Sequence, residues 1–263
     1  MTPQQAVSLY ESANPFTSAA ALAASNYSAV MDGNLVRLLD WKEPSANAKM
    51  TDKSIRAFLS SARFSCVAAK ASVRSGGYRF GWYEGFPARR SAAGLARDLA
   101  AFVAEQRYMR SRYTTFVAAF AEQPIEDELS FERALWKQLQ YLHEEDAKHF
   151  PWAPGVSADP QSVHFAFSFA QSPFFVVGMH PRSSRDSRRL FVPALAFNAH
   201  AQFAAAKRDG NFERIQRIVR EREIALQGSV NPELRAYGES SEARQYAGRQ
   251  TEQKWRCPFH RQS

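Results

Sequence analysis

Residues 164–202, HFAFSFAQSPFFVVGMHPRSSRDSRRLFVPALAFNAHAQ, hold three of the six histidines and the densest apolar runs in the chain. From His164 to Ala170, Phe165, Phe167 and Phe169 alternate with small residues, the period of a half-buried strand. Gln171-Ser172-Pro173 reads as a turn. Phe174 to Met179 is continuously apolar, as expected of a strand covered on both faces, so a hairpin is predicted. His180-Pro181 ends the second strand, because proline cannot donate to the ladder and restricts the residue before it. Arg182 to Arg189 then forms a loop rich in donors, suited to hold carboxylates or phosphates, although on composition alone it reads as a solvated basic loop. Leu190 to Phe197 is apolar again, with Pro193 arguing for an edge or irregular strand. Asn198 is placed to cap a helix carrying His200, Gln202 and Phe203.

Working outward, residues 1 to about 55 read as helix and loop, with Lys42 to Asp52 a surface loop around Pro44. Cys66 lies in an apolar context where a thiol packs as a small hydrophobe. Tyr78 to Tyr83 follows Gly76-Gly77 and reads as a strand entered from a tight turn. Ala92 to Met109 carries a helical stripe of Leu95, Leu99, Phe102 and Val103, and Tyr113 to Phe120 has strand character. Between Ser130 and Ala147, Phe131, Leu135, Leu139 and Leu142 recur at helical spacing behind an acidic start. His143, Asp146 and His149 near its end could bind a metal, but an exposed helix end explains them as well. Asn211 to Leu226 is an amphipathic helix with Phe212, Ile215, Val219 and Leu226 inward. Beyond Gln227 aliphatic residues are few, yet Tyr237, Tyr246, Trp255 and Phe259 predict a tail that folds back onto the body.

The chain of 263 residues is 45% apolar, enough for one large domain or two small ones. Lys and Arg outnumber Asp and Glu by 34 to 26, and the pI is near 9.7. That balance suits an anionic partner, but the charges lack the dense lysine blocks of a nucleic-acid tail, which leaves nucleic acid a minor reading. Two cysteines exclude a disulfide framework and a multi-cysteine zinc site. No leader or membrane-spanning run is apparent in the sequence, so a soluble cytoplasmic protein is expected. Phosphate-loop, zincin and nucleophile-elbow motifs are missing as well.

Several ordered pieces do resemble one family. They are His164-Phe165 with Phe167-Ser168-Phe169, Pro173 to Pro181, Ser183-Ser184-Arg185, Arg188-Arg189, Phe197-Asn198 with His200, Leu226 to Ser229, Asn231-Pro232, Ser241 to Tyr246, Gly248-Arg249, and Trp255 with Cys257-Pro258-Phe259. Together they resemble the YqcI/YcgG family over roughly residues 55–260. The resemblance implies a haem-dependent oxygenase, using dioxygen or peroxide, that hydroxylates a guanidine nitrogen of arginine or a similar amino acid. It further implies b-type haem, a small guanidino substrate, and an external electron donor or peroxide.

Haem requires an axial ligand, an apolar slot and cations for its propionates. On this resemblance His200 is the first choice of ligand, with His180 and His164 behind it and Cys257 as the rival thiolate. Phe167 and Phe175 would supply the slot. Arg182, Arg185, Arg188, Arg189, Arg244 and Arg249 would supply the cations. Glu239 and Glu242 would meet the guanidinium by bidentate hydrogen bonds. The expected architecture is a single α+β (or α/β) domain, a mainly antiparallel sheet around the central hairpin with helices packed on it. Residues 1–54 form an extension of helix and loop, and residues 55–263 the haem-binding domain with its tail as a lid.

Overall fold

The structure, a computed structural model, describes residues 13–121, 124–234 and 239–261. Tyr237, one of the tail aromatics noted above, lies outside them. Its strands are β1 (Ser28–Met31), β2 (Asn34–Arg37), β3 (Tyr78–Tyr83), β4 (Thr115–Phe120), β5 (Phe167–Phe169), β6 (Ser172–Met179) and β7 (Ala194–Ala199). Its helices are α1 (Ala19–Ala24), α2 (Ala46–Ser60), α3 (Val67–Arg74), α4 (Arg89–Gln106), α5 (Glu128–Asp146), α6 (His200–Arg208), α7 (Phe212–Gln227) and α8 (Ala243–Tyr246). A short 3-10 turn, Asp186–Arg188, interrupts the arginine loop.

The strands form one sheet in the order β2-β1-β3-β4-β7-β6-β5, antiparallel except for the β3–β4 pair. This is the expected mixed fold, with the β5–β6 hairpin forming one flank. Helices cover both faces. On the first, Leu95, Leu99 and Phe102 of α4 and Phe131, Leu135, Leu139 and Leu142 of α5 pack with Phe167, Phe169, Phe174 and Val176. On the second, Ile55 and Leu59 of α2 pack with Phe80, Trp82, Val117 and Met179. The α5 start follows from its sequence: the Asp127 carboxylate accepts from Ser130 N (2.7 Å), and Ser130 Oγ accepts from Asp127 N (3.0 Å), satisfying two helix-end donors.

Four local expectations are corrected. The segment read as helix and loop contains the β1–β2 hairpin, and Phe16, Tyr27, Ala29 and Leu38 join the main core, so it is not a separate appendage. Within it, Lys42 to Asp52 is not all loop: Ser45 accepts from Ala48 N (3.2 Å) and starts α2, which then runs across the 54/55 boundary. Proline just before a serine cap marks a helix start as well as it marks a loop. Pro193 precedes β7 rather than interrupting it, so β7 lies between β4 and β6 and is no edge strand. Asn198 caps nothing; it stays in β7 and donates to Phe175 O and Ala196 O, both at 3.3 Å, while Ala199 occupies the cap position of α6.

The hairpin turn also falls one residue earlier than expected. Ala170 and Gln171 both have positive φ (47° and 56°), the geometry of a two-residue hairpin turn that non-glycine residues rarely adopt. Asp146, at the end of α5, holds it by accepting from Ala170 N at 2.8 Å. Burial of that carboxyl, only partly offset by the Ala170 N–H, raises its pKa from 3.8 to about 7. The folded value lies above the unfolded one. The neutral carboxyl therefore stabilises the fold below about pH 4, and this contribution is lost as pH rises through about 7. A gap of that size amounts to at most about 4 kcal/mol. Asp146→Asn keeps the acceptor and removes the titration. Urea unfolding between pH 4 and 8 is thus expected to show a flatter profile for the variant, and greater stability than the parent at pH 8.

Candidate functional site

The second face of the sheet is covered unevenly where β6 and β7 cross it. Along β6, Phe174, Val176 and Gly178 are buried, whereas Phe175 and Val177, which point the other way, are half-buried, as is Asn198 directly opposite Phe175 on β7. Helix α7 lies on this side, packed on α3, α6 and the 3-10 turn. Its inward residues Phe212, Ile215, Val219 and Leu226 are only half-buried, and its one buried side chain is Glu223. An amphipathic helix normally buries its apolar stripe against a core. The half-buried residues of β6 and of α7 are linked through α6, which packs on both elements.

One end of this layer is chemically rich. His200 begins α6 where β7 ends, and its Nε2 stands 3.0 Å from Glu242 Oε2. The other oxygen of Glu242 meets the Tyr246 hydroxyl one helical turn on. Phe175 packs edge-to-face on both Phe203 (6.2 Å between ring centroids) and Tyr246 (5.7 Å). The Tyr246 oxygen also accepts from Phe167 N (3.1 Å) and faces Phe174 O (3.0 Å).

Tyr246 has one proton for two acceptors. If Glu242 is ionised, Tyr246 donates to it and Phe174 O loses its partner. A protonated Glu242 donates to Tyr246 instead, and Tyr246 donates to Phe174 O. Burial favours the second arrangement: it raises the Glu242 pKa, against the hydrogen bond and charge of His200 and the hydrogen bond of Tyr246. Tyr246 is itself held well above the ordinary tyrosine value by burial and by Glu242. The set His200–Glu242–Tyr246 can therefore store a proton and pass it along a chain of hydrogen bonds.

The other end of the layer is cationic. Arg185 donates to Glu223 Oε2 (2.7 Å), Ser229 Oγ (3.1 Å) and Ser229 O (2.5 Å), and its Nε has no partner among the described residues. Arg188 donates to the carbonyls of Gly178 (3.0 Å), Tyr246 and Gln245 (both 3.2 Å), and among the described residues no carboxylate is in hydrogen-bond contact with it. Burial lowers its pKa to about 10. Met179 pairs with Ala194 at this end and Phe174 with Ala199 at the His200 end, so the two ends are about 17 Å apart.

The remaining expected site residues lie elsewhere. Phe167 is fully buried on the first face, among Phe197, Trp152 and Phe259, and cannot line a slot beside Phe175. His180 is stacked on Phe131 at 4.0 Å on that face; both ring nitrogens lack partners, and burial lowers its pKa to about 4, which keeps it neutral. His164 is exposed ahead of β5. Cys257 packs in the main core, where burial pushes its thiol up and disfavours the thiolate a metal requires. Arg189 is spent on Ser183 O and Asp186, Arg244 on the tail at Thr251, Glu252 and Gln253, and Arg249 on Glu132 and Glu252.

Arg182 is exposed and lines a separate open cleft of about 440 Å³ at the start of α5, with Glu126, Glu252 and Arg249. Glu239 is exposed at the rim of the tail. His143 and Asp146 are buried under the tail and the hairpin turn, His149 faces Phe16, and the described residues hold no group of three or more metal-type side chains.

Glu223 was overlooked in the sequence. It shares the inner face of α7 with Val219 and Leu226, and a glutamate within an apolar stripe was the available signal. The YqcI/YcgG family model matches residues 55–260. The chain belongs to the YqcI/YcgG family. Neither the curated proteins nor the solved structures contain a match. All the residues of the layer described above, from Phe175 through α7 to Tyr246, fall inside the family match. Residues 1–54 and 261–263 lie outside it.

Proposed function

We propose that the protein is a haem-dependent oxygenase that hydroxylates a guanidine nitrogen of arginine or an arginine-like amino acid, in a biosynthetic role. Family membership supports the reading, together with one observation: a half-buried apolar layer with an imidazole–carboxyl–phenol set at one end and a buried and a half-buried arginine, Arg185 and Arg188, at the other. The residues fit the group. A flat apolar molecule in that layer would bury Phe175, Val177, Phe203 and the inner stripe of α7. His200 would hold the iron, and Arg185 and Arg188 the propionates. Bound there, the haem would supply activation of dioxygen or peroxide.

The chain's own contribution is proton handling. Nε2 of His200 points at Glu242, so Glu242 orients the imidazole as a second-layer carboxylate does in metal sites. Both oxygens of Glu242 are engaged, one by His200 and one by Tyr246. It is therefore a positioning residue, and a role as the bidentate partner of the guanidinium does not suit it. The buried tail residues Tyr246, Trp255 and Phe259 pack over Trp136 of α5 on the first face, which fixes Tyr246 beside Glu242.

The test is the absorption spectrum of the purified protein after expression with added haem, ferric and then reduced under carbon monoxide. The expected result is a Soret band with the carbon monoxide shift of histidine-bound haem, and formation of N-hydroxyguanidine from arginine or a close analogue. A shift typical of thiolate ligation would move the ligand to Cys257. Haem uptake without product from any guanidino compound would reduce the activity to binding, and no Soret band would sink the reading.

A further inference from the structure

The excess positive charge of the chain is not spread evenly. Residues 60–76, 107–113 and 207–222 hold twelve Lys or Arg and three Asp or Glu, which leaves 22 and 23 for the rest of the chain. The fold brings these three segments together. Ser75 at the end of α3 hydrogen-bonds Ser111, Thr114 N donates to Gln202 of α6 (3.0 Å), and Arg112 pairs with Asp209 just beyond α6. Helix α7 packs on both α3 and α6, and Arg222 reaches Ser65 O at 3.5 Å.

The result is one basic face on an otherwise nearly neutral molecule. Among its exposed members, Arg63, Arg74, Arg110, Arg208 and Arg214 make no ion pair with the described residues. Helix α6 joins this face to the site, since Arg208 lies about 12 Å along the helix axis from His200.

We propose that this face docks a small acidic electron-carrier protein that feeds electrons to the site at His200. The role rests on the oxygenase reading; the docking rests on charge. With dioxygen as oxidant, hydroxylating a guanidine N–H takes up two electrons and two protons; one oxygen atom enters the new N–O bond and the other leaves as water. The carrier supplies the electrons singly and is oxidised. A charged encounter surface favours fast, salt-sensitive association over tight binding, as such a donor needs. Nucleic acid suits the face less well. Its aromatic rings are already covered by cations, with Arg107 over Tyr108 (4.8 Å), Lys207 over Phe212 (5.0 Å) and Arg112 over Tyr113 (5.9 Å), so they offer no platform for stacked bases.

The probe is flavodoxin, an acidic flavin protein, used with the full chain. In stopped flow, flavodoxin hydroquinone is expected to reduce the haem-loaded protein at a second-order rate that falls as salt rises. Arg110→Glu/Arg214→Glu/Arg217→Glu is expected to slow it on the order of tenfold or more. Reduction by dithionite should be unchanged in that variant, and Arg133→Glu/Lys137→Glu, on α5 across the sheet, should leave both rates unchanged. Equal flavodoxin rates in the triple variant and the parent would overturn the proposal. So would retention of the protein on single-stranded DNA or on anionic phosphatidylserine vesicles with no salt-sensitive flavodoxin binding. If the protein takes up no haem, the oxygenase reading fails by itself; charge-dependent binding of oxidised flavodoxin to the unloaded chain, read by flavin fluorescence, would still support the docking.

Discussion

Glu132→Ala is expected to lower the unfolding free energy by about 3–5 kcal/mol, the usual cost of stranding a buried charge. Glu132 lies on the inner face of α5 and accepts from Arg249 Nε (2.8 Å) and Nη2 (2.7 Å), and from Trp255 Nε1 (2.9 Å). Arg249 and Trp255 are both buried, so the alanine variant leaves a guanidinium and an indole N–H without their main acceptor. Glu252 still contacts Arg249, but it is exposed and cannot replace the lost partner inside. The tail should loosen first, because these contacts fasten it to α5. Denaturant unfolding gives the energy, and limited trypsin digestion at Lys254 and Arg256 reports the loosening. Parental stability together with parental resistance at both sites would show that the tail is held by Tyr246 and Phe259 alone. Glu132→Gln, which keeps acceptor atoms but not the charge, should fall between.

His200→Ala carries the largest functional effect. Its imidazole is 16% exposed, and among the described residues its polar and ring partners are Glu242 and the edge of Phe203, so the fold should survive its removal. If His200 holds the iron, haem affinity should fall by roughly 100-fold or more, since even a partner one step further out is worth about 10–100-fold. Added imidazole should restore the Soret band. Glu242→Gln should keep the band, with about 10–100-fold weaker loading or turnover and an altered pH profile, because the amide cannot exchange a proton with His200. A parental spectrum from His200→Ala would transfer the ligand role, and loss of the band in Cys257→Ser would identify its new holder.

The helices and strands with strong periodicity were legible in the sequence because their pattern matches burial directly. The stripes of α4 and α5, the strand from Tyr78 to Tyr83 and the hairpin are of this kind. The β1–β2 hairpin was not, since four-residue strands carry too few alternations to distinguish them from loop. Pro193 misled for a related reason: one residue's position relative to the strand start decides whether proline is tolerated, and spacing alone does not fix that start.

At the site, the sequence by itself determined the family and the residue types available: the central histidines, the arginine loop and the polar tail. Only the tertiary structure decided which of them meet. Side-chain alternation along β6 sends His180 to one face of the sheet and Phe175 to the other, and only the second face has the half-buried layer. The return of the tail along β6 brings Glu242 and Tyr246, forty residues further along the chain, to His200. Such contacts depend on packing between distant segments, and no local pattern encodes them. The arginines divide in the same way: composition gave their number, but packing decided that Arg249 meets Glu132 and Arg244 the tail, that Arg185 and Arg188 stand behind β6, and that others form one charged face.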